Sequence, residues 1–125
     1  MSMPAVQPVG AADLVRLIQR RRFDLSTEKR MQAQLAEALT DKFIPFVREK
    51  RLSDGDIPDF FVEGGIVIEC KLRGARKMDV YKQLCRYAEH ADVLVLILAS
   101  NLAMGLPPDI NGKPVYAAAL SMGWL

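Results

Sequence analysis

The sequence predicts a mixed α/β fold, a sheet with helices packed on it, and three observations carry the prediction. Apolar residues at spacings of three and four mark helical stretches that alternate with short β-rich runs. One run, residues 93–99, is continuously apolar, as a strand buried on both faces must be. Two others, residues 58–62 and 66–72, are joined through Glu63-Gly64-Gly65, a hairpin signal.

Residues 1–10 contain Pro4 and Pro8 without periodicity and read as a flexible tail, which leaves 11–125 as one domain. Leu14, Val15, Leu17 and Ile18 form one stripe and predict a first helix over 11–22. Asp24 or Ser26 offers an N-cap for a second helix over 27–41, on which Met31, Leu35, Ala38 and Lys42 share a face. Residues 43–52 read as a strand with Pro45 near its start, and 53–56 as a turn. After the hairpin, a third helix over 79–90 presents Val80, Leu84, Tyr87, Ala88 and Ala91 on its apolar face. The strand 93–99 follows, then a loop over 101–114 rich in Gly and Pro, and a last strand over 115–120.

Composition sets bounds on function. With 125 residues, half of them hydrophobic and 26% charged, the chain has material for one apolar core and is too apolar for a disordered segment. The longest apolar run is far too short to cross a bilayer, and the first ten residues lack the basic and apolar blocks of a signal peptide, so a cytoplasmic protein is expected. Two cysteines without a CxxC pair and a single histidine argue against a disulfide framework, a zinc site or an iron–sulfur cluster. A metal here must take oxygen ligands. The net charge of +2 is unremarkable, but the charge is clustered, and one basic group (Lys71, Arg73, Arg76, Lys77, Lys82, Arg86) surrounds the hairpin's end.

The hairpin can be tested for whether its acids meet. A three-residue loop pairs Val62 with Ile66 and, continued, sets Asp59 opposite Glu69. In that register Phe60, Val62, Ile66, Ile68 and Cys70 fall on the other face and are all apolar, whereas a two-residue loop sets Asp59 against an apolar side chain. The pattern selects the register that gathers Asp59, Glu69 and Lys71 on one side. Two carboxylates and an ammonium suit a hard divalent cation, because magnesium wants oxygen ligands and an incomplete protein cage with room for waters and a phosphate. Lys71 would orient or help deprotonate an attacking water and offset charge on the phosphate. The Cys70 backbone carbonyl, between the two, is a further candidate ligand. A bare Asp followed by Glu-x-Lys is weak as a string; its setting within β-patterned runs gives it weight.

These residues, Ile57-Pro58-Asp59-Phe60-Phe61-Val62 and Ile66-Val67-Ile68-Glu69-Cys70-Lys71, resemble the PD-(D/E)XK superfamily of restriction-endonuclease-like nucleases. The resemblance covers residues 27 to about 99 and implies a core of helix, three-stranded meander, helix and strand, with an extra N-terminal helix and a C-terminal strand. It also implies hydrolysis of DNA phosphodiester bonds with Mg²⁺ or Mn²⁺ and a glutamate on the first core helix that reaches the metal directly or through water. Glu28 matches that glutamate in type and place, and Glu37 is the competing candidate on another face. Gln83 and Tyr87, one turn apart, resemble a Gln-xxx-Tyr motif that lies near the scissile strand in some members. With Arg73, Arg76, Lys77, Lys82 and Arg86 they are the expected nucleic-acid contacts. A chain this short has no separate specificity domain, so recognition of DNA structure or ends is expected, as a homodimer or within a larger nuclease assembly. The competing expectation is a non-catalytic nucleic-acid-binding or assembly module with the same fold.

Overall fold

A computed structural model describes residues 10–72, 75–99 and 105–120. Three helices, α1 (Ala11–Arg20), α2 (Glu28–Asp41) and α3 (Lys77–Ala88), accompany six strands: β1 (Phe46–Arg48), β2 (Phe60–Val62), β3 (Ile66–Lys71), β4 (Val93–Ala99), β5 (Asp109–Ile110) and β6 (Lys113–Leu120). The strands form one mixed sheet in the order β1-β2-β3-β4-β6-β5. β1, β2 and β3 are an antiparallel meander, β3–β4 and β4–β6 run parallel, and α3 makes the crossover between β3 and β4. A parallel pair needs such a crossover, and a helix is its usual form.

Side chains alternating along each strand divide the core in two. Phe60, Val62, Ile66, Ile68, Cys70 and Val95 face α1 and α2, where they meet Leu14, Ile18, Met31, Leu35 and Leu39. Val67 and Leu94 face the other way, onto Val80, Leu84, Tyr87 and Ala88 of α3. The sheet is therefore sandwiched between two helical layers, and the expected apolar faces of all three helices are the buried ones, although Lys42 is exposed.

Boundaries differ from expectation where backbone chemistry overrides periodicity. Thr27, rather than Asp24 or Ser26, caps α2, its hydroxyl accepting from the Arg30 amide at 3.1 Å. Asp24 instead accepts from the Ser26 hydroxyl and amide and from the Arg30 guanidinium, bonds that hold its carboxyl down at about 2. α2 closes with the amide of Phe43 on the Thr40 carbonyl and that of Ile44 on the Leu39 carbonyl, a Schellman ending with Phe43 at φ 56° in the position glycine favours. That ending, Pro45, and the positive φ of 52° at Glu49 cut the expected strand over 43–52 down to the three residues of β1. α3 begins and ends two residues earlier than 79–90. The expected loop over 101–114 holds β5 and the start of β6, paired Ile110 to Lys113 across Asn111-Gly112 at φ 52° and 78°. Two positive φ values are what a type I′ turn requires, and Asn-Gly is its strongest sequence signal, so this hairpin was readable. The N-terminal residues 1–9 and Trp124 lie outside the described residues.

Candidate active site

The hairpin has the expected register, Val62 against Ile66 and Phe60 against Ile68, with Gly64 and Gly65 at φ 94° and 76° in the turn. One more step sets Asp59 against Glu69, and the step after would set Pro58 against Cys70. Proline has no N–H to give the Cys70 carbonyl, so the backbone ladder cannot continue there. Side chains take over its bonds. The Cys70 amide donates to Asp59 Oδ2 at 2.7 Å, and the Asp59 amide donates to Glu69 Oε1 at 3.2 Å. Two carboxylates are thereby held where a strand pair parts, on the face of the sheet that carries α3.

Glu69 is the one fully buried charged residue among those described, 4% exposed. Its Oε2 pairs with Lys71 Nζ at 3.1 Å, and its Oε1 also receives the Tyr87 hydroxyl at 3.3 Å, long for an O–H donor. Burial, then the neighbouring Asp59 charge, raises the Glu69 pKa against the pull of Lys71. Burial likewise raises Asp59, opposed by the Cys70 N–H bond and by the charges of Lys71 and Arg48. Glu28, half-buried at the start of α2, is raised by desolvation and by Asp59, with Lys71 pulling it back down. Three acids raised by burial, two of them also by the Asp59 charge and all pulled back by Lys71, mark this as the electrostatically tense part of the molecule. The Cys70 thiol is fully buried in the core under α1 and α2, and burial, then the charges of Asp59 and Glu69, pushes its pKa well above the ordinary value.

The remaining expected residues divide into three groups. Lys71, Arg76, Asp79, Val80, Gln83 and Arg86 line a groove of about 440 Å³ along one face of α3, which Lys71 alone joins to the carboxylate cluster. Lys77 and Lys82 are exposed and do not line it, and Arg73 lies outside the described residues. Tyr87 is turned inward: it is 1% exposed, and its oxygen accepts from Gln83 Nε2 at 2.9 Å while its proton points at Glu69. Glu37 is exposed, as is His90 at the end of α3. Sequence reasoning missed two partners. Asp56, in the turn before β2, pairs with Arg86 at 2.8 Å and takes the Ser53 hydroxyl at 2.6 Å, tying that turn to α3. Arg48 sits over the Phe60 ring at 5.1 Å and bonds Gln32 Oε1 at 2.8 Å, close enough to act on Asp59. No local signal gives either contact, since residues 30 and 16 positions apart meet only through the sheet.

Among the described residues no group of three or more His, Cys, Asp or Glu side chains converges to hold an ion, so Glu28 does not complete a three-ligand cluster with Asp59 and Glu69. Magnesium nonetheless fits the donors present, because it takes one or two carboxylates and fills its remaining positions with waters and substrate oxygens. Two carboxylates raised by burial are groups whose charge a cation would stabilise. No helix among the described residues is long and apolar enough to cross a membrane. A scan against protein-family models, a search of curated proteins and a search of solved structures each found no match to this chain.

Proposed function

We propose that the chain is a divalent-metal-dependent nuclease of the restriction-endonuclease-like type, hydrolysing DNA phosphodiester bonds around Asp59, Glu69 and Lys71. The observation that supports this best is the meeting of Asp59 and Glu69 where β2 and β3 part, both desolvated, with Lys71 on Glu69 and also in the wall of a groove that holds Arg76 and Arg86. Charges inside a sheet are costly, and a structural role alone would be met as well by neutral residues.

Asp59 and Glu69 would hold magnesium or manganese, with the Cys70 carbonyl beside them and Glu28 reaching it through water. Bound there, the ion would supply Lewis-acid chemistry, polarising a phosphoryl oxygen and acidifying water. Lys71 Nζ, fixed over Glu69 Oε2, orients the attacking water and sets positive charge where the phosphate's charge grows. Arg76 and Arg86 in the groove wall hold the neighbouring backbone phosphates by charge, and Gln83 offers an amide beside them. Hydrolysis places the water's hydroxyl on phosphorus and its proton on the leaving oxygen. None of these groups reads a base edge, so DNA structure or ends would be recognised, and a second copy of the chain would bring a second centre to the opposite strand.

Incubating linear, nicked, flapped and four-way DNA with Mg²⁺ or Mn²⁺ tests the proposal. Cleavage should vanish in EDTA and in Asp59→Asn, and Lys71→Ala should lower it at least a hundredfold. Cleavage unchanged by either substitution sinks the assignment. The Lys71–Glu69 ion pair, which already neutralises one carboxylate, favours a second reading, a non-catalytic module that binds nucleic acid or a partner chain. A folded wild-type protein that takes up no Mn²⁺ in isothermal titration would support that reading instead.

A further inference from the structure

Tyr87 lies within the core of α3 against the sheet, beside Val67, Leu84 and Leu94, where a phenylalanine would pack as well. Its hydroxyl is the polar group that needs explanation. A buried phenol must find a partner, and this one has two of different kinds. Gln83 Nε2 donates to the oxygen at 2.9 Å, which turns the phenol's own proton away from Gln83 and toward Glu69 Oε1, 3.3 Å off. Glu69 is thus fixed from three sides, by Tyr87 and the Asp59 amide on Oε1 and by Lys71 on Oε2. Lys71 and the Asp59 segment belong to the meander itself, whereas Tyr87 reaches the carboxylate from a different layer.

We infer that Tyr87 is a positioning residue for Glu69, aimed by Gln83, and that the pair holds the carboxylate in the orientation in which it can share a divalent cation with Asp59. The inference rests on the proposed metal-dependent reading of the site and adds to it the group that orients the ligand. Partners of this kind set ligand orientation, and losing one typically weakens metal affinity about 10- to 100-fold. The long 3.3 Å contact puts Tyr87 at the lower end of that range. Gln83 acts one bond further out, so its removal should weaken binding by about threefold. Because both act along one chain of bonds, their effects should not multiply.

The test is isothermal titration of the full chain with Mn²⁺ alone, for wild type, Tyr87→Phe, Gln83→Leu and the double variant, each checked by thermal melting. The expected result is an approximately tenfold weaker Kd in Tyr87→Phe, about threefold in Gln83→Leu, and a double variant no weaker than Tyr87→Phe, with melting temperatures held within a few degrees. Gln83 lines the groove and is only half-buried, so its variant remains informative if Tyr87→Phe fails to fold. Wild-type binding with unchanged Kd in the variants overturns the inference and leaves the metal site standing. Wild-type protein that binds no Mn²⁺ overturns both.

Discussion

Replacing Glu69 by glutamine keeps the shape of the side chain and removes the one charge that the core encloses among the described residues. The folded-state pKa of Glu69 lies above its ordinary value of 4.5, chiefly through desolvation. The folded protein therefore binds that proton more tightly than the unfolded chain does. This stabilisation is complete below the ordinary value and is lost as pH rises through the raised one, at a slope of up to about 1.4 kcal/mol per pH unit for a single group. At pH 8 wild type carries the full penalty of a buried carboxylate next to Asp59, and Glu69→Gln does not. Against that gain stands the Lys71 ion pair, 3.1 Å long, with Lys71 itself 22% exposed and able to turn to water; its loss costs about 1 kcal/mol or less. The balance is a metal-free variant about 1 kcal/mol more stable than wild type at pH 8, a rise of about 3–6 °C in melting temperature. The assay is urea unfolding at pH 8 and again at pH 4, in EDTA. The difference should shrink toward zero at pH 4, where wild-type Glu69 takes up its proton. A variant less stable than wild type by the same amount at both pH values would refute the reasoning and make Glu69 an ordinary structural ion-pair partner.

The same tension predicts that Mn²⁺ at about a hundred times its Kd raises wild-type stability at pH 8 by about 2.7 kcal/mol. Melting with and without the ion checks it, and the rise should be absent in Asp59→Asn. Phe43→Gly should stabilise the protein by about 0.5–1 kcal/mol, because Phe43 is 92% exposed and held at φ 56°, where glycine carries no steric penalty; a loss of stability on denaturant unfolding would mean the ring packs on something. Gly65→Ala should destabilise by about 1 kcal/mol or more, since φ is 76°, a conformation that strains any residue with a Cβ, while the exposed Asp92 carboxylate that the Cβ would meet can swing aside. Far smaller effects in a melting scan would count against this turn geometry. Thr27→Ala should cost about 1 kcal/mol through loss of the α2 cap, with Thr27→Ser retaining most of it in the same scan.

How much of this was legible beforehand follows the range of the interactions involved. Helix faces were readable because period is local: Leu14 and Ile18, Met31 and Leu35, Val80 and Leu84 are spaced by the turn of the helix and are buried as that spacing requires. The hairpin register was readable because only a three-residue loop keeps Phe60, Val62, Ile66, Ile68 and Cys70 on one apolar face. The termini of elements were less so. Phe43 and Glu49 adopt positive φ against their own preference, and nothing in either residue type announces it. Asn111-Gly112 did announce a turn, but it sits inside a stretch whose prolines and glycines masked the two short strands around it.

Turn length and side-chain alternation alone put Asp59, Glu69 and Lys71 on one face, because a shorter loop would set Asp59 against an apolar side chain. Which groups surround that face was decided by the tertiary structure. That Tyr87 points its hydroxyl at Glu69 rather than outward, that Arg86 is engaged by Asp56, and that Glu28 stands near Asp59 without completing a cluster all depend on how α2 and α3 are laid across the sheet. Helical periodicity gives the face a residue occupies. The partner it meets there is set by packing between layers, where contacts join residues 18 to 30 positions apart and carry no local signature.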